Sequence, residues 1–404
     1  MCVHYSIDMS LLTELKIRRD KISISNEYQI DQSPFRDDTE NIYAHCYTGF
    51  VNYMRILIIA LSGIGDALMF TPALVKLRET MPSAKIDALV MFKGVKDVFE
   101  KLPQINQVHL FDFMNARKSD ALFYTLSLRK KYDATFSVYP SNRKEYNLMS
   151  FLIGAKHRFG IRYLRNDITN FGFLNNVRRD EDDTVHNAEE NFRMVEKFLD
   201  EKFESIPPLE FCLEEDDLLY YSDFLNEKKI VREDFVVGFH PGCNTLKNHD
   251  KRRWEVEKFT GLAKLLIQNH NAKVLVFGGS EEQHLKDGIA SIVNSPQLIP
   301  VQSFSLTNTA AVMKRCNIFV SNDSSLMHVA AALQLKVVAI IGPTNEKYIA
   351  PWKTQHEIAS LNLECAPCFF YSPKPLSCSR QDVKFKCIKE LSVELVYGKV
   401  KKLI

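Results

Sequence analysis

The sequence predicts an α/β protein made of two doubly wound domains in tandem, and three observations carry that prediction. Short apolar runs of strand length alternate with amphipathic stretches of helical period, the pattern of βα units on a parallel sheet. The alternation occurs twice, once before about residue 162 and again after about residue 232. Between the two lies a charged stretch containing RRDEDD, EKFLDEKFE and LEEDD together with the Pro207-Pro208 pair, a composition typical of a domain boundary.

Residues 1–53 are polar and irregular, with SISNEYQIDQSPF showing no period, and are expected to form an N-terminal extension. RILIIAL, from Arg55, has the length and composition of a buried strand; the turn SGIGD follows, and then a helical pattern, ALMFTPALVKLRETM. The pairing repeats as KIDALVM with GVKDVFEKL, VHLFDF with DALFYTLSLRKK, and ATFSVYP with KEYNLMSFLIGA. HNAEENFRMVEKFLDEKF, from His186, is an amphipathic helix able to close this first domain. The second series opens with FVVGFHPG and EVEKFTGLAKLLIQNH, and continues through AKVLVFGG, EEQHLKDGIASIV, TNTAAVMKRC, NIFVSND, SSLMHVAAAL and KVVAIIGP. The expected domains are 54–205 and 206–364, with a Cys-containing segment and a final helix that returns to the first domain over 365–404. Ligands of such sheets bind beyond the carboxyl ends of the strands, so two facing sheets place a substrate cleft between them.

The 404 residues include 52 basic and 50 acidic side chains, a net charge of +2, which excludes capture of nucleic acid by charge alone. No stretch approaches the ~18 uninterrupted apolar residues that cross a bilayer, and the first twenty residues lack a basic region followed by an apolar block. A soluble intracellular protein is expected. Five of the nine cysteines (Cys2, Cys46, Cys212, Cys243 and Cys316) are scattered, which suits a reducing compartment. Cys365, Cys368, Cys378 and Cys387 cluster instead, and three readings stay open for them: a structural metal site, a loop staple, or small buried hydrophobes.

Three polar loops are expected on the ligand edge of the sheets. In Leu61-Ser-Gly-Ile-Gly-Asp66, Gly63 and Gly65 let the backbone turn tightly, and the following helix points its first N–H groups at the same space. A dinucleotide fingerprint fits poorly there, because Leu68 stands at the third glycine position and KIDALVMFK ends without an acid to hold a ribose. Asp66 is either a helix-start cap or a general base at the mouth of the cleft. The second loop, His240-Pro-Gly-Cys-Asn-Thr245, contains Gly242 and leads into Lys247, His249, Lys251, Arg252 and Arg253. Cations concentrated past a strand end and before a helix favour an anion over a merely solvated run. The third loop, Ser321-Asn-Asp-Ser-Ser-Leu-Met-His328, opens a helix with backbone N–H groups, hydroxyls and a dipole suited to phosphate. Its Asp323, Ser324 and Ser325 are also ordinary caps, and His328 is either a core histidine or a phosphate donor.

RILIIALSGIGDALMFTPAL, HPGCNTLKNHDKRRWEVEKF, AKVLVFGG, FVSNDSSLMHVAAAL and VVAIIGPT, in that order, resemble glycosyltransferase family nine, the ADP-heptose:lipopolysaccharide heptosyltransferases. The similarity runs from about Met54 to Val396, and His186, Glu189 and Asn191 resemble the family's linker-region motif. The resemblance implies a GT-B fold, two Rossmann-like domains facing a central cleft, with an acceptor-binding first domain and a nucleotide-sugar-binding second domain. It implies inverting transfer of heptose or a similar sugar to a lipopolysaccharide or other cell-surface glycan, with no catalytic metal and no cofactor beyond the donor. On this chain Asp66 falls at the family's general base. Arg252 or its neighbour Lys251 falls at the phosphate-binding Lys, and Asp323, Ser324, Ser325 and His328 fall on the donor-phosphate loop, with Thr245 on the same side. The chain departs from the family's more frequent Gly-Pro at Ser325-Leu326. Cytoplasmic location follows from the resemblance, and the lysines of LSVELVYGKVKKLI are candidates for peripheral contact with the inner face of the membrane. A non-catalytic nucleotide-sugar binder of the same fold is the alternative, against which the retention of Asp66 and the cationic step speaks.

Overall fold

The computed structural model describes residues 54–370 and 375–404, so the extension expected over 1–53 lies outside the described residues. Two six-stranded parallel sheets follow one another along the chain. The first holds β1 (Arg55–Ala60), β2 (Lys85–Val90), β3 (Gln107–Leu110), β4 (Ala134–Ser137), β5 (His157–Arg162) and β6 (Val177–Asp180), in spatial order 3-2-1-4-5-6. The second holds β7 (Val236–His240), β8 (Lys273–Val276), β9 (Leu298–Pro300), β10 (Ile318–Asn322), β11 (Lys336–Ile340) and β12 (His356–Ala359), in order 12-11-10-7-8-9. Both sheets wind the same way: the first strand lies between the second and the fourth. Strand order therefore reverses between β1 and β4 and again between β7 and β10, the two places where such folds open a crevice.

The residue types explain which strands are central. In β1 only Arg55 is exposed, and all five residues of β10 are buried, as strands covered by helices on both faces must be. Right-handed crossovers put the helices after β1 and β2 on one face of the first sheet and those after β3, β4 and β5 on the other. Contacts agree with this: the helix Thr71–Thr80 packs on Asn187–Leu199, whereas Lys118–Ser127 packs on Lys144–Ile153. His186 caps the Asn187–Leu199 helix by accepting the Ala188 N–H at 3.0 Å.

The final helix corrects an expectation. Val393–Lys401 packs on the helix Val256–His270 and on β11 and β12, so it closes the second sheet and does not return to the first. Its apolar stripe, Val396, Val400 and then Leu403, completes the core built by Val237, Phe259 and Leu262. Its lysines are engaged as well, Lys399 and Lys402 pairing with Glu357 at 2.9 and 3.4 Å. Trp254 is a packing residue: it is 1% exposed and its indole N–H donates to the Leu391 carbonyl at 2.9 Å.

Candidate active site

Both crevices open into one cleft of about 680 Å³, lined from the first sheet by the loops after β1 and β4 and from the second by the loops after β7 and β10. That volume suits a ligand the size of a nucleotide sugar.

On the first side, Gly63 precedes the short helix Ile64–Leu68, and Asp66 reaches back to accept the Gly63 N–H at 3.3 Å. The capping role of Asp66 is thus real, but its carboxylate also faces the cleft. Burial pushes the Asp66 carboxyl up to about 7; the Gly63 N–H opposes this, Asp323 adds to it and Arg252 opposes it. Two of these influences come from loops of the second sheet, so the carboxylate looks across the gap.

Gly65 brings the two sides together. A Cβ there would lie 2.6 Å from Cδ2 of His328, because the helices Ile64–Leu68 and Ser325–Ala332 abut at this point. Gly65→Ala is expected to lower thermal stability by about 1–3 kcal/mol, the usual result of overpacking. It is also expected to weaken any ligand held by both sides, measured as a smaller ligand-induced melting shift. His328 itself is buried, which lowers its imidazole to about 4, so it is neutral at physiological pH, and its Nδ1 has no hydrogen-bond partner among the described residues. It wedges between the two helices and lines the cleft.

On the second side, Arg252 donates from Nη1 to Asp323 Oδ2 at 2.5 Å, and Thr344 donates to the same oxygen at 2.6 Å. The guanidinium lies 5.5 Å from the Phe369 ring centre, and its buried Nε–H has no partner among the described residues. Of the two cations left open by the sequence, Arg252 lines the cleft; Lys251 is exposed and pairs with Asp250 at 3.3 Å. Thr245 is exposed too and is not among the lining residues.

Ser324, the N-cap of Ser325–Ala332, heads a buried chain. His240 Nδ1 is 2.7 Å from its Oγ, and His240 Nε2 is 3.1 Å from Glu282 Oε2. Burial alone would raise the Glu282 carboxyl, but the His240 contact, the Gly279 N–H and Arg253 hold it below its ordinary range. His240 thus joins Glu282 to Ser324 through its two ring nitrogens, and Ser324 Oγ also lies 3.0 Å from Ser321 Oγ. The Ser324 hydroxyl is engaged in this buried chain, while Ser325 and the backbone N–H groups at the start of the helix line the cleft. Gly242 serves the chain and not the cleft: a Cβ there would lie 1.8 Å from Glu282 Oε1.

Of the other lining residues, Lys247 and His249 belong to the cation run read from the sequence, whereas Asn142, Arg143 and Phe369 were not singled out there. Asn142 and Arg143 come from the loop after β4, and Lys247, His249, Thr344 and Phe369 complete the second side. Arg143 lies over the Tyr146 ring at 5.5 Å. Lys247 is left-handed at φ 56°, as is Asn248 at 62°, and its carbonyl accepts the Leu376 N–H at 2.9 Å. Burial and the nearby Arg143 lower the Lys247 ammonium pKa. Knowing that β4 is the neighbour of β1 would have pointed to Arg143. The linker motif supports the cleft from behind: Asn191 accepts the Tyr139 N–H at 2.8 Å and donates to its carbonyl at 3.1 Å, fixing the loop after β4. His186 is 2.9 Å from the Ala350 carbonyl, and Glu189 pairs with Arg193.

The clustered cysteines are free thiols, and among the described residues no group of three or more His, Cys, Asp or Glu is arranged to hold a metal ion. Cys378 Sγ accepts the Phe385 N–H at 3.3 Å, Cys365 Sγ lies 3.5 Å from Arg380 Nη1, and Cys387 packs against the second core.

The model of glycosyltransferase family 9 (heptosyltransferase) matches residues 127–376, more than half of the chain. Lipooligosaccharide heptosyltransferase 2 of Campylobacter jejuni is 32% identical over 174 residues, covering 42% of this chain and 51% of that protein. The chain thus spans about half the length of its Campylobacter relatives. Lipopolysaccharide heptosyltransferase 2 of Escherichia coli is 26% identical over 318 residues, covering 74% of this chain and 85% of that one. In fold, the structure titled E. coli ADP-heptose lps heptosyltransferase II superposes with a TM-score of 0.66 at 21% identity, covering 87% of this chain and 98% of that chain.

Proposed function

The chain belongs to glycosyltransferase family 9, the heptosyltransferase family, and from that premise we propose that its cleft transfers a sugar from a nucleoside-diphosphate donor to a lipopolysaccharide or related glycolipid acceptor. The relatives are named as heptosyltransferases of lipopolysaccharide and lipooligosaccharide, so ADP-heptose or a close analogue is the donor proposed. The observation that carries the mechanism is Asp66, a carboxyl raised to about 7 facing Arg252 and Asp323 across the cleft.

In this reading Asp66 accepts the proton of the acceptor hydroxyl. The freed oxygen attacks the anomeric carbon from the side opposite the leaving diphosphate, which inverts that centre. Negative charge grows on the diphosphate as its bond to the sugar breaks. Arg252, Lys247 and the first N–H groups of Ser325–Ala332 take up that charge in place of a divalent ion. The pocket carries three cations, Arg143, Lys247 and Arg252, against the carboxylates Asp66 and Asp323, so it stays net positive even with Asp66 ionised.

Two measurements test this. Thermal shifts with ADP-, UDP- and GDP-sugars identify the donor base, and mass spectrometry of a heptose-deficient lipopolysaccharide precursor incubated with that donor identifies transfer. Stabilisation without transfer overturns the enzyme reading. A general base with a pKa near 7 works only when ionised, so kcat/KM is expected to rise with pH through about 7 and then level; a flat profile between pH 5.5 and 8 removes Asp66 from the role.

A further inference from the structure

The first sheet is covered unequally. Among the described residues, the outer surfaces of Thr71–Thr80, Lys93–Phe99 and Asn187–Leu199, which form one layer, show no exposed large hydrophobic side chain. The opposite layer shows them throughout. Helix Lys118–Ser127 exposes Leu122 and Phe123, helix Lys144–Ile153 exposes Leu148 and Phe151, and the turn beyond β5 exposes Ile168 and Phe173. Phe123 is 71% and Ile168 78% exposed, far beyond a side chain that merely rims a core. The crossover rule puts these elements side by side on one face, and the two helices and the 3-10 turn Gly172–Leu174 do touch in sequence. The core under this layer is already complete, because Tyr146, Met149 and Ile153 turn inward and leave Leu148 and Phe151 outside.

Charge follows the same face. Residues 110–173 carry eleven basic and five acidic side chains, net +6, in a chain whose total is +2. Arg129, Lys130 and Lys131 end one helix connection, and Lys156 and Arg165 flank the apolar residues; all five are exposed. The surface also reaches the cleft. Exposed Met114 lines it, and cleft-lining Asn142 donates to the Arg165 carbonyl at 2.8 Å. A large apolar surface mixed with exposed cations matches a bilayer of anionic lipids: the rings enter the headgroup boundary while the cations meet lipid phosphates.

We propose that this layer of the first sheet is a docking face for an anionic lipid bilayer, which holds the cleft mouth at the membrane surface. The proposal goes beyond sugar transfer and does not depend on it, since vesicle binding is read without any reaction. It also differs from the final helix, where Lys399 and Lys402 pair with Glu357 and Lys401 lies over the Tyr397 ring.

The test is co-sedimentation of the full chain with vesicles of phosphatidylethanolamine, phosphatidylglycerol and cardiolipin, against vesicles of phosphatidylcholine. The wild type is expected to partition into the anionic vesicles roughly tenfold or more above the neutral ones, and less so at high salt. The combined variant Phe123→Ser, Phe151→Ser, Ile168→Ser is expected to lose roughly tenfold in partition while keeping its melting temperature and its nucleotide-induced shift. Lys76→Glu, on the opposite layer, is expected to bind as the wild type does. Equal partition into both vesicle types, or unchanged binding by the triple variant, overturns the proposal. So does a wild-type dimer in sedimentation velocity that the triple variant dissociates, because a second copy would then cover the face.

Discussion

Asp66→Asn is expected to fold, to bind nucleotide, and to lose sugar transfer by roughly 10² to 10⁴, the usual contribution of a positioned general base. Asn keeps the oxygen that accepts the Gly63 N–H, so the short helix Ile64–Leu68 retains its start and the loss is not a folding defect. A second readout separates this role from a structural one. The Asp66 carboxyl titrates near 7 in the folded protein against 3.8 for an ordinary one, so folding favours its protonated form. The stability associated with it is fully present below about pH 4 and is lost as pH rises towards 7. Asn has no proton to lose. The variant is therefore expected to melt above the wild type at pH 8, with the difference shrinking towards pH 4. A variant that turns over like the wild type, or that melts lower at every pH, shows that the carboxylate is held for packing alone.

That trade also shows what was legible in the sequence. Apolar runs revealed β1–β4, β7, β8, β10 and β11, because burial on two faces leaves few polar residues in RILIIA or IFVSN, whereas β5, β6, β9 and β12, with sequences such as VRRD and HEIA, carry no such run and went unread. Asp66 and Arg252 were legible for a local reason: each stands just past a strand end and ahead of a helix. Arg143 was not, and of Lys247 only its membership of a cation run was legible, not its place in the cleft. The first depends on β4 pairing with β1 across a long crossover, and the second on two successive left-handed residues, neither of which leaves a local signature. The buried chain that engages the Ser324 hydroxyl rests on Glu282, about forty residues earlier, reached only because Gly242 leaves room. The final helix shows the limit of an amphipathic stripe, which says that Val396 and Val400 must be covered without saying by which sheet.

Arg252→Ala is the second large loss to expect, roughly 10² to 10³ in kcat, the range seen when one preorganised donor to a developing charge is removed. Arg252 is engaged with Asp323, so its guanidinium is already desolvated and held in place by the protein itself. Truncation also strands the Asp323 carboxylate. Breaking a buried pair from one side destabilises by about 3–5 kcal/mol, and the Thr344 hydroxyl, which stays, places this case at the lower end. The double variant Arg252→Ala, Asp323→Asn removes that stranded charge, so its turnover reports the leaving-group role with the fold restored. Arg252 is also one of the groups that hold the Asp66 carboxyl down. Its loss in the single variant is expected to move the midpoint of the pH–rate profile towards alkaline pH, whereas Arg252→Lys keeps the charge and returns the midpoint while recovering only part of kcat, since an ammonium lacks the fork that grips phosphate. A residue that only packed would leave that midpoint in place, and transfer by the double variant within threefold of the wild type would mean that the leaving phosphate is met elsewhere in the cleft.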